Sequence, residues 1–263
     1  MKKRLHYRIP PIGIPFAFAV AIGSTTFTIA ADKEEARVTQ VVHDVRLLAS
    51  NGAPRPASVN DNVRPGTAVR TGNDSCAELT FTDRTLMRLG ANTLFSFGER
   101  ARNFDLASGS ILFYVPKGSG GARISASVAT MGGTSFTAMA EYHRKSWIKF
   151  MILEGRGSVS LEYHPDETRA LHAGQMIMVR PAATKLPEPQ NVDLSELIKT
   201  SLLITKFPSL PSLNLILREA QNQQNLPQSS HLKDPTGLDT RDQRAAAQPS
   251  ATPRTVPDRL SRP

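Results

Sequence analysis

Between Arg37 and Arg180, apolar residues alternate with polar ones in short runs, and most runs close at Gly, Asn or Asp. This is the period of half-buried strands, in which successive side chains point to opposite faces. Val38, Val41 and Val42 open a β-branched stretch that runs on to Leu48, where Asn51-Gly52 signals a turn. Ala77, Leu79 and Phe81 alternate with Glu78, Thr80 and Thr82; Asp83-Arg84 makes the turn, and Thr85, Met87 and Leu89 lead back to a break at Gly90-Ala91-Asn92. Ile111, Phe113 and Val115 share one face, Leu112 and Tyr114 the other, and Pro116 to Gly121 is a loop. Ile148, Phe150 and Ile152 form a strand that Glu154-Gly155 turns into Val159, Leu161 and Tyr163. Pro165-Asp166 turns once more, and Met176 to Val179 is the last apolar strand before Pro181. Many short strands without strand–helix alternation predict an all-β sandwich, roll or barrel and argue against an α/β fold. Gly132-Gly133 has no Lys-Ser/Thr partner and no helix pattern after it, so it reads as a β-turn or bulge rather than a phosphate loop.

Beyond residue 180 the period changes. Pro181 to Pro189 is a linker, and Asp193 with Glu196 resembles a capping box. Leu194, Leu197, Ile198 and Leu202 then fall on one helical face. Pro208 and Pro211 interrupt, and Ser212 is placed to cap a second helix with Leu213, Ile216, Leu217 and Ala220 on one side. Both helices are expected to pack back on the β domain over an edge or open end; the alternative is an amphipathic hook for a partner. From Gln221 on, Gln, Asn, Ser and Pro dominate; residues 225–263 contain no aromatic residue, and a disordered tail is expected there.

The N-terminus changes the reading of charge. Lys2, Lys3, Arg4 and Arg8 precede a stretch from Ile9 to Ala31 that carries no charge, with the compact apolar run Phe16 to Ile22 and a small-residue end at Ala30-Ala31. This is the layout of a secretory signal peptide, and Pro10, Pro11 and Pro15 disfavour a long helix there. An uncleaved membrane anchor is the alternative. With no cysteine at the cleavage region, a lipoprotein is not expected. Once the four basic residues leave, the formal charge falls from +9 to +5, below a nucleic-acid-binding density. Arg64, Arg70, Arg84 and Arg88 interleave with Asp61, Asp74, Glu78 and Asp83, which reads as a solvated mixed-charge face rather than a contact for an anionic polymer. The resulting layout is a signal peptide over 1–31, a β domain over 32–180, linker and short helices over 181–224, and the tail over 225–263.

Candidate chemistry is sparse. The lone Cys76 excludes an internal disulfide or a Cys-based zinc centre and reads as a small buried hydrophobe. None of His6, His43, His143, His164, His172 and His231 shows a ligand spacing. His164 and His172 flank a predicted hairpin loop, Pro165 to Leu171, and two histidines alone make a poor metal site. Trp147, the one tryptophan, reads as core or rim packing rather than a sugar platform. No GxSxG or SxxK motif is present. No catalytic, cofactor-binding or metal-ligating residue is assigned, and no enzyme activity or cofactor is expected.

The strand pattern carries a resemblance. Val63-Arg64-Pro65-Gly66-Thr67-Ala68-Val69-Arg70-Thr71-Gly72, continuing through Ala77 to Asp83 and Leu89-Gly90-Ala91-Asn92-Thr93, is the first block. Leu106 to Ile111, Ala129 to Phe136, Leu153 to Val159 and Ala173 to Met176 complete the set. Together, residues 61–179 resemble the FecR domain, the periplasmic all-β module of bacterial FecR-like proteins. Arg84 stands where the family usually has glycine; a left-handed backbone there would cost about 1–2 kcal/mol. FecR-type regulators join a cytoplasmic sigma-factor-binding segment, a membrane helix and this β domain, whereas only about eight residues precede the apolar run here. The resemblance therefore implies an exported, non-catalytic FecR-like β-sandwich or roll acting as a periplasmic binding or scaffolding module with an envelope protein or polymer partner. A membrane-anchored accessory in FecR-type signalling is the alternative, and an envelope hydrolase comes third. No nucleic-acid partner is expected, and a membrane contact only if the N-terminal segment is uncleaved.

Overall fold

The computed structural model describes residues 35–98 and 102–225; the expected signal segment and tail lie outside the described residues. In chain order the strands are β1 (Ala36–Val42), β2 (Val45–Leu48), β3 (Arg55–Pro56), β4 (Asn62–Val63), β5 (Ala68–Thr71) and β6 (Cys76–Phe81). They continue as β7 (Leu86–Leu89), β8 (Leu94–Phe97), β9 (Asn103–Val115), β10 (Ala122–Ala126) and β11 (Ala129–Gly133). The last are β12 (Phe136–His143), β13 (Trp147–Leu161), β14 (His164–His172), β15 (Gln175–Val179) and β16 (Gln190–Asn191). Three helices follow: α1 (Leu194–Thr200), α2 (Leu202–Thr205) and α3 (Leu213–Gln224).

The strands form a sandwich whose two sheets share their longest members. Sheet A runs β4-β1-β6-β7-β9-β12-β13-β15-β16, and sheet B runs β3-β2-β5-β8-β9-β10-β11-β13-β14. The first half of β9 pairs with β8 and β10, and its second half with β7 and β12. In β13 the order is reversed: residues 147–155 pair with β12 and 156–161 with β14. Each strand changes sheet at a glycine of positive φ, Gly109 at 90° and Gly155 at 82°, a conformation that glycine takes without steric cost. Glu154-Gly155 is therefore a bend within one strand and not the turn between two.

Three other expectations are corrected. The stretch from Val38 to Leu48 is broken at His43-Asp44, where the chain passes from sheet A to sheet B and His43 takes φ 59°. The hairpin after β13 turns at Glu162-Tyr163, and Pro165-Asp166 lies inside β14. Gly132-Gly133 ends β11 rather than forming a turn; a Cβ at Gly133 would meet the Phe136 ring at 2.7 Å and the Arg156 carbonyl oxygen at 2.8 Å.

Alternation decides the core. Leu79, Met87, Leu89, Ile111, Phe113, Phe136, Phe150 and Val179 from sheet A meet Val69, Phe95, Phe104, Ile124, Met131 and Val159 from sheet B in one cluster without a charged residue. Phe113 and Phe136 pack edge to face with centroids 5.2 Å apart, and Phe81 meets Phe104 in the same way at 5.2 Å. The helices form a third layer. They cover the outer face of sheet A, not an edge or open end: Leu112, Met139, Met151, Leu153 and Met176 pack against Leu194, Leu197, Leu203, Ile204, Phe207, Ile216 and Ala220.

Asp193 caps α1, its Oδ1 accepting from the Glu196 backbone N–H at 3.1 Å. The helix stops at Ser201, whose extended backbone (φ −70°, ψ 118°) starts α2 in a new direction. Leu202 is consequently 61% exposed and does not share the buried face of Leu194 and Leu197. Ser212 precedes α3 but gives it no side-chain cap, and Leu217 faces outward at 41% exposure.

Candidate functional site

The strongest concentration of buried polar chemistry lies between sheet A and the helices. One row crosses the outer face of the sheet through successive cross-strand partners: Glu78, Arg88, Leu112, Met139, Met151 and Met176. Glu78 and Arg88 sit opposite each other on the β6–β7 hairpin, and Arg88 Nε donates to Glu78 Oε2 at 2.9 Å. The Thr39 hydroxyl donates to the other Glu78 oxygen at 2.9 Å. Arg88 is wholly buried. Its two terminal nitrogens donate to main-chain carbonyls of the helical layer, Leu203 at 3.0 Å and Pro208 at 2.5 Å. Phe207 lies under the guanidinium, 4.8 Å from ring centroid to Cζ. Burial lowers the Arg88 pKa, and Glu78 opposes that shift. The expected solvated mixed-charge face is thus wrong for this pair, which is covered by residues more than a hundred positions later in the chain.

A second pair repeats the arrangement one row away. Glu141 and Lys149 face each other across β12 and β13, with Lys149 Nζ 2.7 Å from Glu141 Oε2 and the lysine side chain 3% exposed. In a third row the Thr137 hydroxyl donates to Ser212 Oγ at 2.6 Å and lies 3.3 Å from Glu154 Oε2. Burial raises the Glu154 pKa; Thr137 opposes the shift, and Glu219 on α3 adds to it by like-charge repulsion. Gln223 fastens the far end of α3, donating to the Val192 carbonyl at 2.9 Å and accepting from Leu194 N–H at 3.2 Å.

Among the described residues, one concavity adjoins this layer and another lies on the opposite side of the sandwich. Beneath α2 a cavity of about 550 Å³ is lined by Cys76, Ser110, Glu141, Tyr142, Leu203 and Lys206 among others. Cys76 is buried there, and its thiol pKa is raised by burial with Lys206 opposing. On the outer face of sheet B, a polar trough of about 470 Å³ is lined by Arg102, Arg123, Thr130, Gly132, Ser158 and Ser160. Arg102 is engaged by Asp83 at 2.7 Å, whereas Arg123 is exposed.

The histidines do not converge. His164 and His172 are the two ends of β14, roughly 26 Å apart at about 3.3 Å per residue, because the predicted loop between them is strand. His143 stacks on Trp147 with centroids 4.1 Å apart at the turn end of the β12–β13 hairpin. Among the described residues no group of three or more His, Cys, Asp or Glu could hold a metal ion, and no helix is long and apolar enough to cross a membrane. Sequence reasoning missed the Arg88 and Lys149 sites. The available signal was a charge at an alternating position of an otherwise apolar strand, as in Ile148-Lys149-Phe150.

Comparisons agree with the motif reading. Residues 67–156 match the family model described as FecR protein, a span from just before β5 to the corner of β13. No curated protein matches the chain. Two crystal structures of a proposed anti-sigma factor from Parabacteroides distasonis ATCC 8503, at 1.65 and 2.50 Å resolution, are each 13% identical with a TM-score of 0.43. Each likeness covers 51% of this chain and 65% or 64% of the other, so this chain spans just under two thirds of their length.

Proposed function

We propose that this chain is a non-catalytic regulatory module of the FecR type, exported to the periplasm, where it binds another protein of the cell envelope. The FecR match over residues 67–156 carries this reading, because that span contributes strands to both sheets and to both sheet-changing corners. The family is a regulatory one, and the buried charges of this fold are absorbed in ion pairs and carbonyl contacts rather than presented to a substrate. Export rests on the basic, apolar and small-residue order of residues 1–31.

Two measurements test the reading. Deletion of the gene should change transcription of a confined set of genes and be reversed by the full-length chain; an unchanged transcript profile would refute regulation. The native product should fractionate with the periplasm and have an intact mass that starts near Asp32. A full-length product in the inner membrane would replace the free module with an anchored one.

A second reading, scaffolding on an anionic envelope polymer, is favoured by the trough on sheet B. There the exposed guanidinium of Arg123 and the hydroxyls of Thr130, Ser158 and Ser160 line one concave surface. Co-sedimentation with isolated envelope polysaccharide that is lost in Arg123→Glu would support it, and binding insensitive to that change would remove it.

A further inference from the structure

The inner face of sheet A and the middle of its outer face are both covered, but they are differently composed. The inner face is apolar throughout. The outer face carries Glu78, Arg88, Glu141 and Lys149 beside Leu112, Met139, Met151, Leu153 and Met176. A surface that never meets water gains little from two ion pairs, since well-packed apolar residues serve there as well or better. The same composition suits a surface with two states. Uncovered, its charges are hydrated; covered, they pair at 2.9 and 2.7 Å.

The cover itself is built to come away. Helices α1 and α2 have seven and four residues, too few to persist without the face beneath them. Pro208 and Pro211 separate α2 from α3, and a linker with Pro181, Pro187 and Pro189 tethers the whole layer. Arg88 donates to main-chain carbonyls of this cover, in α2 and in the loop after it, with the Phe207 ring against its guanidinium, so a helix that brings free carbonyls to that point meets the same donors. Three methionines in a row form a surface that repacks around different shapes. Glu154 and Glu219 repel each other across the seam.

We infer that α1–α3 form a displaceable strap, and that the face of sheet A beneath it is the docking surface for an amphipathic helix of a partner protein. The partner lays apolar residues over Leu112, Met139, Met151 and Met176, as α1 and α3 now do with Leu197 and Ile216. It offers its C-terminal carbonyls to Arg88. This names the partner class for the regulatory reading and rests on it.

Amide hydrogen exchange on the full-length chain is the first test. Amides of 194–225 should exchange through an opening at least a hundredfold more frequent than the one that frees 111–115 and 148–152. Equal protection of strap and strands would overturn the proposal. A fluorescein-labelled peptide copy of residues 190–225 then probes the face in trans by anisotropy. It should bind full-length Ile216→Asp at least tenfold more tightly than the unmodified chain. In a Cys76→Ala background, a disulfide made by Thr137→Cys and Ser212→Cys should abolish binding, with recovery on reduction. Equal binding to all three proteins would overturn the proposal. Dimers of Ile216→Asp by light scattering would make a second copy the occupant and overturn the partner helix. A strap that stays shut while the transcription phenotype holds refutes the docking face alone; a strap that opens without such a phenotype refutes the regulatory reading.

Discussion

Gly109→Ala tests whether the sandwich depends on its corners. Gly109 sits where β9 leaves sheet B for sheet A, with φ at 90°. An alanine Cβ there would stand 2.8 Å from the Asn92 carbonyl oxygen and closer still to Thr93 Cα. That backbone is not free to retreat. Thr93 N–H donates to Thr71 Oγ1 at 2.9 Å, Thr71 N–H donates to the Thr93 carbonyl at 2.9 Å, and Ser110 N–H donates to Thr93 Oγ1 at 3.1 Å. The left-handed backbone costs an alanine about 1–2 kcal/mol, and forced overpacking adds about 1–3 kcal/mol.

Gly118 supplies the control. Its φ is 84°, and a Cβ there would meet nothing within 4 Å, so Gly118→Ala incurs the backbone cost alone. The entropy that alanine removes from the unfolded chain is the same in both variants and cancels in the comparison. The difference between them should be about 1–3 kcal/mol. At roughly 2–4 °C per kcal/mol for a domain of this size, Gly109→Ala should lower Tm by about 2–12 °C more than Gly118→Ala does. Urea and thermal unfolding followed by far-ultraviolet circular dichroism and by Trp147 fluorescence give both numbers. Equal destabilisation of the two variants would refute the claim that the corner is sterically closed.

Arg84→Gly should stabilise the fold by about 0.5–1 kcal/mol, because relief of a φ of 71° outweighs the extra freedom glycine gives the unfolded chain; a lower urea midpoint would count against it. Arg88→Met strands Glu78 beneath the helices and should cost about 3–5 kcal/mol, read as lost exchange protection across residues 194–225. Adding Glu78→Leu should recover a large part of that loss, and an unaltered Arg88→Met protein would refute the clasp. Glu154 has a raised folded-state pKa, so its proton is held more tightly in the folded chain than in the unfolded one. Its contribution to stability therefore grows as pH falls through that raised value toward about 4.3, and it is unfavourable above. Glu154→Gln should be the more stable protein at neutral pH, with the gap closing toward pH 4; a gap independent of pH would refute the assignment.

The β domain was legible because each of its signals is local. Leu79 and Phe81 against Glu78 and Thr80, or Ile111 and Phe113 against Leu112 and Tyr114, declare their faces within six residues, and the structure seats them so. The capping residue Asp193 is local in the same way. What misled was the assumption that glycine ends a strand. Gly109 and Gly155 carry the chain around a corner within one strand, and nothing nearby separates that role from a turn. His164 and His172 failed for a related reason: Pro165-Asp166 suggests a turn, yet the first residues of an edge strand tolerate proline.

The candidate site lay beyond local reasoning altogether. Glu78 and Arg88 are ten positions apart and read as solvated charges, which is their ordinary fate on one face of a hairpin. Their burial is decided by Leu203 and Pro208, 115 and 120 residues after Arg88. No window along the chain contains both halves of that contact. The helical layer was anticipated, but it was expected over an edge or open end, where helices cover unpaired strand groups, and not on a face of the sheet. The charges are what fix its position, because a buried guanidinium with one carboxylate still has donors to satisfy. Leu203 in α2 and Pro208 in the loop after it supply the acceptors from the main chain, with the Phe207 ring packed against the guanidinium. A layer held mainly by its backbone at that point can vary in sequence and still fit, and the same property makes it replaceable by a helix from elsewhere.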